Sequence, residues 1–286
     1  MFKQIIGAAI IGALAAGPVQ AGDFTFSVSG QGRDVIFVPG LGTSPEVMEV
    51  VADRMKHFRW HFVSIPGFAS RVPSETPGED RIAAAASAVS DYIAEQELPC
   101  PVLAGHSVGA IIGVAVAADG RQGLCGLVLM DAPPALGAVM AQDTRPETLE
   151  ALADSVARPL ADFSRSQFRD WAGQMAEGWG GQASTRMKVA AMMAESDPAT
   201  VSGLFAQALT TDVTPLLGRI DIPTLVLFTT PQGAGLTDDM IGDFYRAAYA
   251  DLSSGQFRHI PDAGHFLMLD QPTATAAAIA DFLSRM

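Results

Sequence analysis

Cys100-Pro-Val-Leu-Ala-Gly105-His106-Ser107-Val108-Gly109-Ala-Ile-Ile-Gly-Val-Ala-Val-Ala-Ala118 is the stretch that decides the fold. It reads as an apolar strand, a turn carrying Gly105-His106-Ser107-Val108-Gly109, and an almost wholly apolar helix. A serine in so tight a strand-to-helix turn is held proud of the sheet on strained backbone, and its neighbours must stay small so that the chain can fold back. The helix that starts there points unpaired N–H groups at any oxyanion formed beside Ser107. With 28 glycines in the chain, a chance G-x-S-x-G is easily found; the flanking strand and helix make this one specific.

Working outward, Asp34-Val-Ile-Phe-Val38 reads as a buried strand ending in the glycine-rich Pro39-Gly40-Leu41-Gly42. A helix follows from Pro45 to Met55, then a strand at Trp60–Ile65 stopped by Pro66-Gly67, then an alanine-rich helix at Ile82–Glu95 with Asp80 as its cap. Beyond the serine, Leu124–Met130 is another continuous apolar strand. Uninterrupted apolar strands alternating with helices indicate an α/β fold with a parallel sheet covered on both faces. The rhythm breaks at Pro134 and resumes after Leu217. Between them only helical patterns occur, one stripe being Phe168, Trp171, Met175 and Trp179. Thr224–Phe228, a helix from Thr237, Phe257–Pro261 and a last helix from Thr273 complete the alternation. The division is therefore a core of residues 22–133 and 218–286 interrupted by a helical insertion at 134–217.

The 286 residues are 49% hydrophobic and 17% charged, which is enough apolar material for a large core and excludes wholesale disorder. A net charge of −13 repels phosphate backbones, so no nucleic-acid partner is expected. The first 21 residues have the form of a secretory signal: Lys3, an apolar run from Ile5 to Gly17, and Val19-Gln20-Ala21 as a cleavage site. That run would rise roughly 20 Å as a helix, short of a hydrocarbon core of about 30 Å. The expectation is a periplasmic or secreted protein, cleaved after Ala21, with no stable membrane anchor thereafter.

A serine hydroxyl needs a base. His265, in Pro261-Asp-Ala-Gly-His-Phe-Leu-Met-Leu-Asp-Gln-Pro after the final strand, is the best placed of the five histidines. His57 and His61 flank Trp60 near the start of a strand, His106 should point into the fold, and His259 lies within a strand. No metal is expected, because no His or Cys pair has ligand spacing inside a loop. No cofactor is expected either: Gly40-Leu-Gly-Thr-Ser-Pro45 has proline where a dinucleotide fingerprint needs its third glycine.

Val38-Pro-Gly-Leu-Gly, Ile65-Pro-Gly-Phe, Gly105-His-Ser-Val-Gly, Ile222-Pro-Thr-Leu-Val-Leu and Ala263-Gly-His-Phe together resemble the α/β-hydrolase fold superfamily over nearly the whole chain from Asp34. The resemblance implies a mostly parallel eight-stranded sheet with helices on both faces and a helical cap inserted after strand six. It implies an oxyanion hole from the backbone N–H groups of Leu41 and Val108, although Pro39 stands where the family usually has histidine. The family's usual place for the triad acid falls on or beside Gln232, which carries no charge. Asp131, at the tip of the strand beside the serine strand, is favoured over Asp238 and Asp239, which look like first-turn helix residues. Cys100 and Cys125 start strands that are parallel neighbours in the resembling fold, so a disulfide and two buried thiols are both open.

Ser107, His265 and Asp131 would then make a serine hydrolase acting on a small-molecule ester, lactone or related acyl bond. Serine at position 107 excludes the superfamily's haloalkane dehalogenases and epoxide hydrolases, which need aspartate there. Cofactor-free haloperoxidase and C–C hydrolase chemistry would use the same triad, and a non-catalytic binding protein is the alternative from another class. Trp171 and Trp179 are the expected substrate-side aromatics of the insertion.

Overall fold

The computed structural model describes residues 19–21, 23–70, 72–73 and 80–286; most of the segment expected to be a signal lies outside the described residues. Its centre is a set of short strands buried on both faces: β3 (Arg33–Val38), β5 (Val102–His106), β6 (Gly126–Met130) and β7 (Thr224–Phe228), with β1 (Val19–Ala21), β2 (Phe24–Gly30) and β4 (Phe58–Ser64) on one flank and β8 (Gly255–His259) on the other. The order across the sheet is β1-β2-β4-β3-β5-β6-β7-β8. β3 to β8 run parallel, and β2 is antiparallel to both β1 and β4. The eight-stranded, mostly parallel sheet is the expected one.

Because successive strand residues face opposite ways, each apolar strand feeds two cores. Ile36, Val38, Leu103, Leu127, Leu129 and Val226 pack on one side with α2 (Arg81–Glu95), α3 (Val108–Asp119) and α9 (Asp238–Ala248). Val35, Phe37, Val102, Ala104, Val128 and Met130 pack on the other with α1 (Glu46–Ala52), α10 (Leu267–Asp270) and α11 (Pro272–Ser284). Between β6 and β7 come α4 (Leu136–Ala141), α5 (Pro146–Val156), α6 (Arg165–Gly178), α7 (Ala183–Ala194) and α8 (Pro198–Thr210).

Helix starts follow local chemistry. The Asp80 carboxylate accepts from the Ile82 and Ala83 N–H groups, each at 3.1 Å, and opens α2. Ser164 and Gln167 form a reciprocal capping box at α6, and the Thr237 hydroxyl accepts from Met240 N–H at α9. α3 has no such cap. It is apolar all round because it is buried all round.

Among the described residues no helix is long and apolar enough to cross a membrane. Cys100 and Cys125 are disulfide-bonded with their Cα atoms 4.9 Å apart, joining the approaches to β5 and β6. The bond lies at the opposite ends of these strands from Ser107 and Asp131.

Candidate active site

The sheet reverses its winding direction at β3: the chain adds β4 on one side of it and β5 on the other. Ligands of open parallel sheets bind beyond the carboxyl ends of strands at such a point. Here the two loops involved carry Leu41 and Ser107.

Ser107 sits at φ 55° and ψ −123°, a conformation costly for a residue with a side chain. The flanking glycines permit it. A Cβ on Gly105 would lie 2.2 Å from the Gly109 carbonyl oxygen, and one on Gly109 would lie 2.3 Å from that of Val38. Both contacts are with backbone, so neither could relax cheaply. The Ser107 N–H is held by the Met130 carbonyl at 3.0 Å, which ties the elbow to β6. Val108, the first residue of α3, has an N–H without an intrahelical partner, and no side chain caps it.

His265 Nδ1 lies 2.7 Å from Asp131 Oδ2. A carboxylate can only accept, so Nδ1 carries the proton and Nε2 carries the lone pair, the tautomer a base requires. The other oxygen, Asp131 Oδ1, accepts from Thr229 N–H at 3.0 Å, the Thr229 hydroxyl at 3.2 Å and the Tyr245 hydroxyl at 3.3 Å. Burial, reinforced by the Asp131 charge, holds the Tyr245 phenol protonated far above its ordinary range, so it stays a donor. Asp131 itself has a positive φ of 48° at the tip of β6, which turns its side chain toward the histidine.

The alternative acids are elsewhere. Asp238 accepts from the Thr230 hydroxyl at 2.6 Å and lies 3.5 Å from His259 Nε2 at the exposed start of α9. Gln232 accepts from Gly181 N–H at 3.3 Å, so the place where the resemblance expected an acid tethers the α6–α7 turn instead.

Ser107, Asp131 and His265 line one cavity of about 160 Å³, together with Leu41 and Val108 from the expected oxyanion hole. The remaining wall is Ile111, Leu136, Met140, Met175, Trp179 and Phe205 with small neighbours, and it holds no lysine or arginine. Trp179 stands with its ring centre 5.4 Å from that of His265. Trp171, expected beside it, lies off this wall and packs against Phe168 and Phe205 within the insertion. The cavity opens at the C-terminal end of α6, so the last aromatic of the stripe reaches it and the earlier ones fill the insertion's own core. A larger depression of about 370 Å³ beside α2, lined by Phe24, Arg81 and Asp91, contains no histidine.

Two other histidines have structural roles. His61 donates through Nε2 to Asp34 and accepts from the Tyr92 hydroxyl at Nδ1, both at 2.8 Å, in a buried cluster that Arg59 completes. Tyr92 stacks on Phe26, and burial pushes its phenol up to about 12. The His61–Asp34 pair lines neither of the two cavities above.

His106 is fully buried, as its position in the elbow predicted, and its Nε2–H donates to the His265 carbonyl at 2.9 Å. Burial, with His265 nearby, holds it well below the ordinary imidazole range, so it is neutral when folded. The unfolded chain protonates His106 as pH falls through 6.5, the folded chain does not, and acid therefore drains stability until the folded value is reached. His106→Gln keeps the donated hydrogen bond and removes the titration. Between pH 7 and pH 5 the wild type should lose more than this variant in urea titrations, by up to about 2 kcal/mol. Equal losses would show that His106 is not held neutral.

The chain belongs to the alpha/beta hydrolase family, whose sequence model matches residues 35–278. It is 28% identical over 263 residues to an N-formylmaleamate deformylase of Pseudomonas putida, covering 89% of this chain and 90% of that protein. It is also 26% identical over 140 residues to a pimeloyl-[acyl-carrier protein] methyl ester esterase of Vibrio cholerae, covering about half of each. Among solved structures, a thermophilic esterase from Thermogutta terrifontis superposes with a TM-score of 0.75 at 24% identity, covering 94% of this chain and 99% of that one. An enol-lactonase from Burkholderia xenovorans gives 0.67 at 18%, covering 94% and 100%. At these identities the structural likenesses speak for the fold alone, while the family and its named members support hydrolase activity.

Proposed function

We propose that this chain is an exported serine hydrolase cleaving an ester, lactone or related acyl bond by a Ser107–His265–Asp131 triad. The observation that carries the reading is the 2.7 Å Asp131–His265 contact opening into the same cavity as the strained Ser107 elbow. In the forward step Ser107 Oγ attacks the acyl carbon while His265 Nε2 takes its proton. The N–H groups of Leu41 and Val108 hold the oxyanion. His265 then returns the proton to the departing alcohol, leaving an acyl-enzyme, and water repeats the cycle to free the acid and Ser107.

The cavity narrows the substrate. Its volume of about 160 Å³ is below the usual range for drug-sized ligands, and its walls are apolar and free of cations. A short, uncharged acyl group fits it. A second carboxylate buried away from the oxyanion donors would meet no lysine or arginine there. Because one full-length relative is named as a deformylase, acyl amides belong in the same screen as esters.

A fluorophosphonate probe should label the wild type rapidly and leave Ser107→Ala unlabelled, with acetyl and butyryl p-nitrophenyl esters hydrolysed faster than a hemisuccinyl ester. Absence of labelling in folded wild type would leave the binding-protein reading standing.

Export rests on the N-terminal sequence and on the Cys100–Cys125 bond, which persists in oxidising compartments. Processing after Ala21 would remove β1 and leave β2 at the sheet edge.

A further inference from the structure

The backbone of His265 is held at three successive positions. The Gly264 N–H donates to Asp270 Oδ2 at 2.8 Å, the His265 N–H donates to the Trp179 carbonyl at 3.0 Å, and the His265 carbonyl accepts from His106. Asp270 closes α10 and is 4% exposed. Its second oxygen accepts from Gln182 N–H at 3.0 Å, and its main-chain carbonyl accepts from the Gln182 side-chain amide at 2.9 Å. One buried carboxylate therefore joins the histidine loop to the α6–α7 turn. That turn begins at Trp179, which lines the cavity.

Glycines make the contact sterically possible. A Cβ on Gly181 would lie 2.1 Å from Asp270 Oδ2, and one on Gly264 would lie 2.6 Å from the Trp179 carbonyl oxygen. Both Asp270 oxygens face N–H donors, so the position needs two acceptors. An asparagine offers one, and its NH₂ would meet a second donor in a buried place. Asp270 is not on the cavity wall, so recognition of substrate does not account for it.

We propose that Asp270 is a positioning residue, locking the Gly264–His265 backbone onto the α6–α7 turn so that His265 is aimed at Ser107 when the turn bearing Trp179 is seated. The proposal rests on the hydrolase reading of Ser107 and His265. Misplacing a reacting group by about 1 Å costs roughly 10²-fold in rate, which sets the scale of the effect.

In Asp270→Asn, kcat on p-nitrophenyl butyrate should fall at least about 30-fold with KM changed less than about threefold. The downfield proton resonance of the His265 Nδ1–H bond to Asp131 should shift or vanish in protein that keeps the wild-type circular dichroism. A kcat within twofold of wild type overturns the proposal. So does a lowered kcat with an unmoved resonance, the pattern of a merely structural residue. If Asp270→Asn fails to fold, Gly181→Ala, which drives a methyl group against the same carboxylate oxygen, is read by the same two measurements and the same outcomes. The resonance comparison needs no substrate. Failure of the wild type to hydrolyse any ester or amide would therefore sink the hydrolase reading separately from the positioning role of Asp270.

Discussion

Asp131→Asn should fold normally and lower turnover about 10⁴-fold, the loss associated with this change in the best-characterised serine protease triad. The surroundings dictate why. Three donors converge on Asp131 Oδ1, namely Thr229 N–H, the Thr229 hydroxyl and the Tyr245 hydroxyl. An asparagine will therefore keep its carbonyl there and turn its NH₂ toward His265. Nδ1 must then accept, which moves the proton to Nε2 and leaves Ser107 facing a protonated nitrogen. Asp238→Asn should change turnover by no more than a small factor, because Asp238 serves Thr230 and the exposed start of α9. Steady-state kinetics on a neutral ester decide it. Equal, small losses in the two variants would dissolve the triad assignment.

Removing the Cys100–Cys125 bond should destabilise the protein by about 3.5 kcal/mol at 25 °C, from the loop-closure entropy of a crosslink spanning 25 residues. That is a several-hundred-fold change in the folding equilibrium and roughly 6 °C in Tm. The bond sits where β5 and β6 begin, and five residue pairs from Val102↔Gly126 to His106↔Met130 separate it from the chemistry. In Cys100→Ser/Cys125→Ser, kcat on a neutral ester at 20 °C should stay within about twofold while the urea midpoint drops. An unchanged midpoint would mean that the crosslink constrains nothing the strand pairing does not already hold.

Sequence alone disclosed the central architecture because the central strands are buried on both faces. A run such as Leu124–Met130 has no polar face to blur its pattern, and the strand at Gly126–Met130 is buried throughout. β2 went unread for the opposite reason: Phe24–Gly30 is mostly exposed or half-buried, with Val28 40% exposed. Ser107 and His265 were legible as candidates from turn chemistry and position. Asp131 was readable as a carboxylate at a strand tip, but its distance from His265 was not, since it depends on a positive φ and on donors from β7 and α9. The role proposed for Asp270 was hidden altogether. Its partners, Gln182 and Gly264, lie 88 and 6 residues away, and what distinguishes it in sequence is one acid closing the apolar run Phe-Leu-Met-Leu. In the insertion, helical periodicity correctly put Trp171 and Trp179 on one stripe, but periodicity fixes a face and says nothing of where along the helix a cavity opens.

Asp131 and its histidine partner are separated by 134 residues, and Ser107 comes earlier still. At the usual pace of synthesis, roughly 5–20 residues per second, the ribosome adds the intervening chain in about 7–27 s. Throughout that interval the turn at Ser107 lacks both its proposed base and the His265 carbonyl to which His106 donates. On the proposed triad, a chain cut short anywhere before His265 would hold Ser107 without its base, and acyl chemistry would begin only when the β8–α10 loop docks.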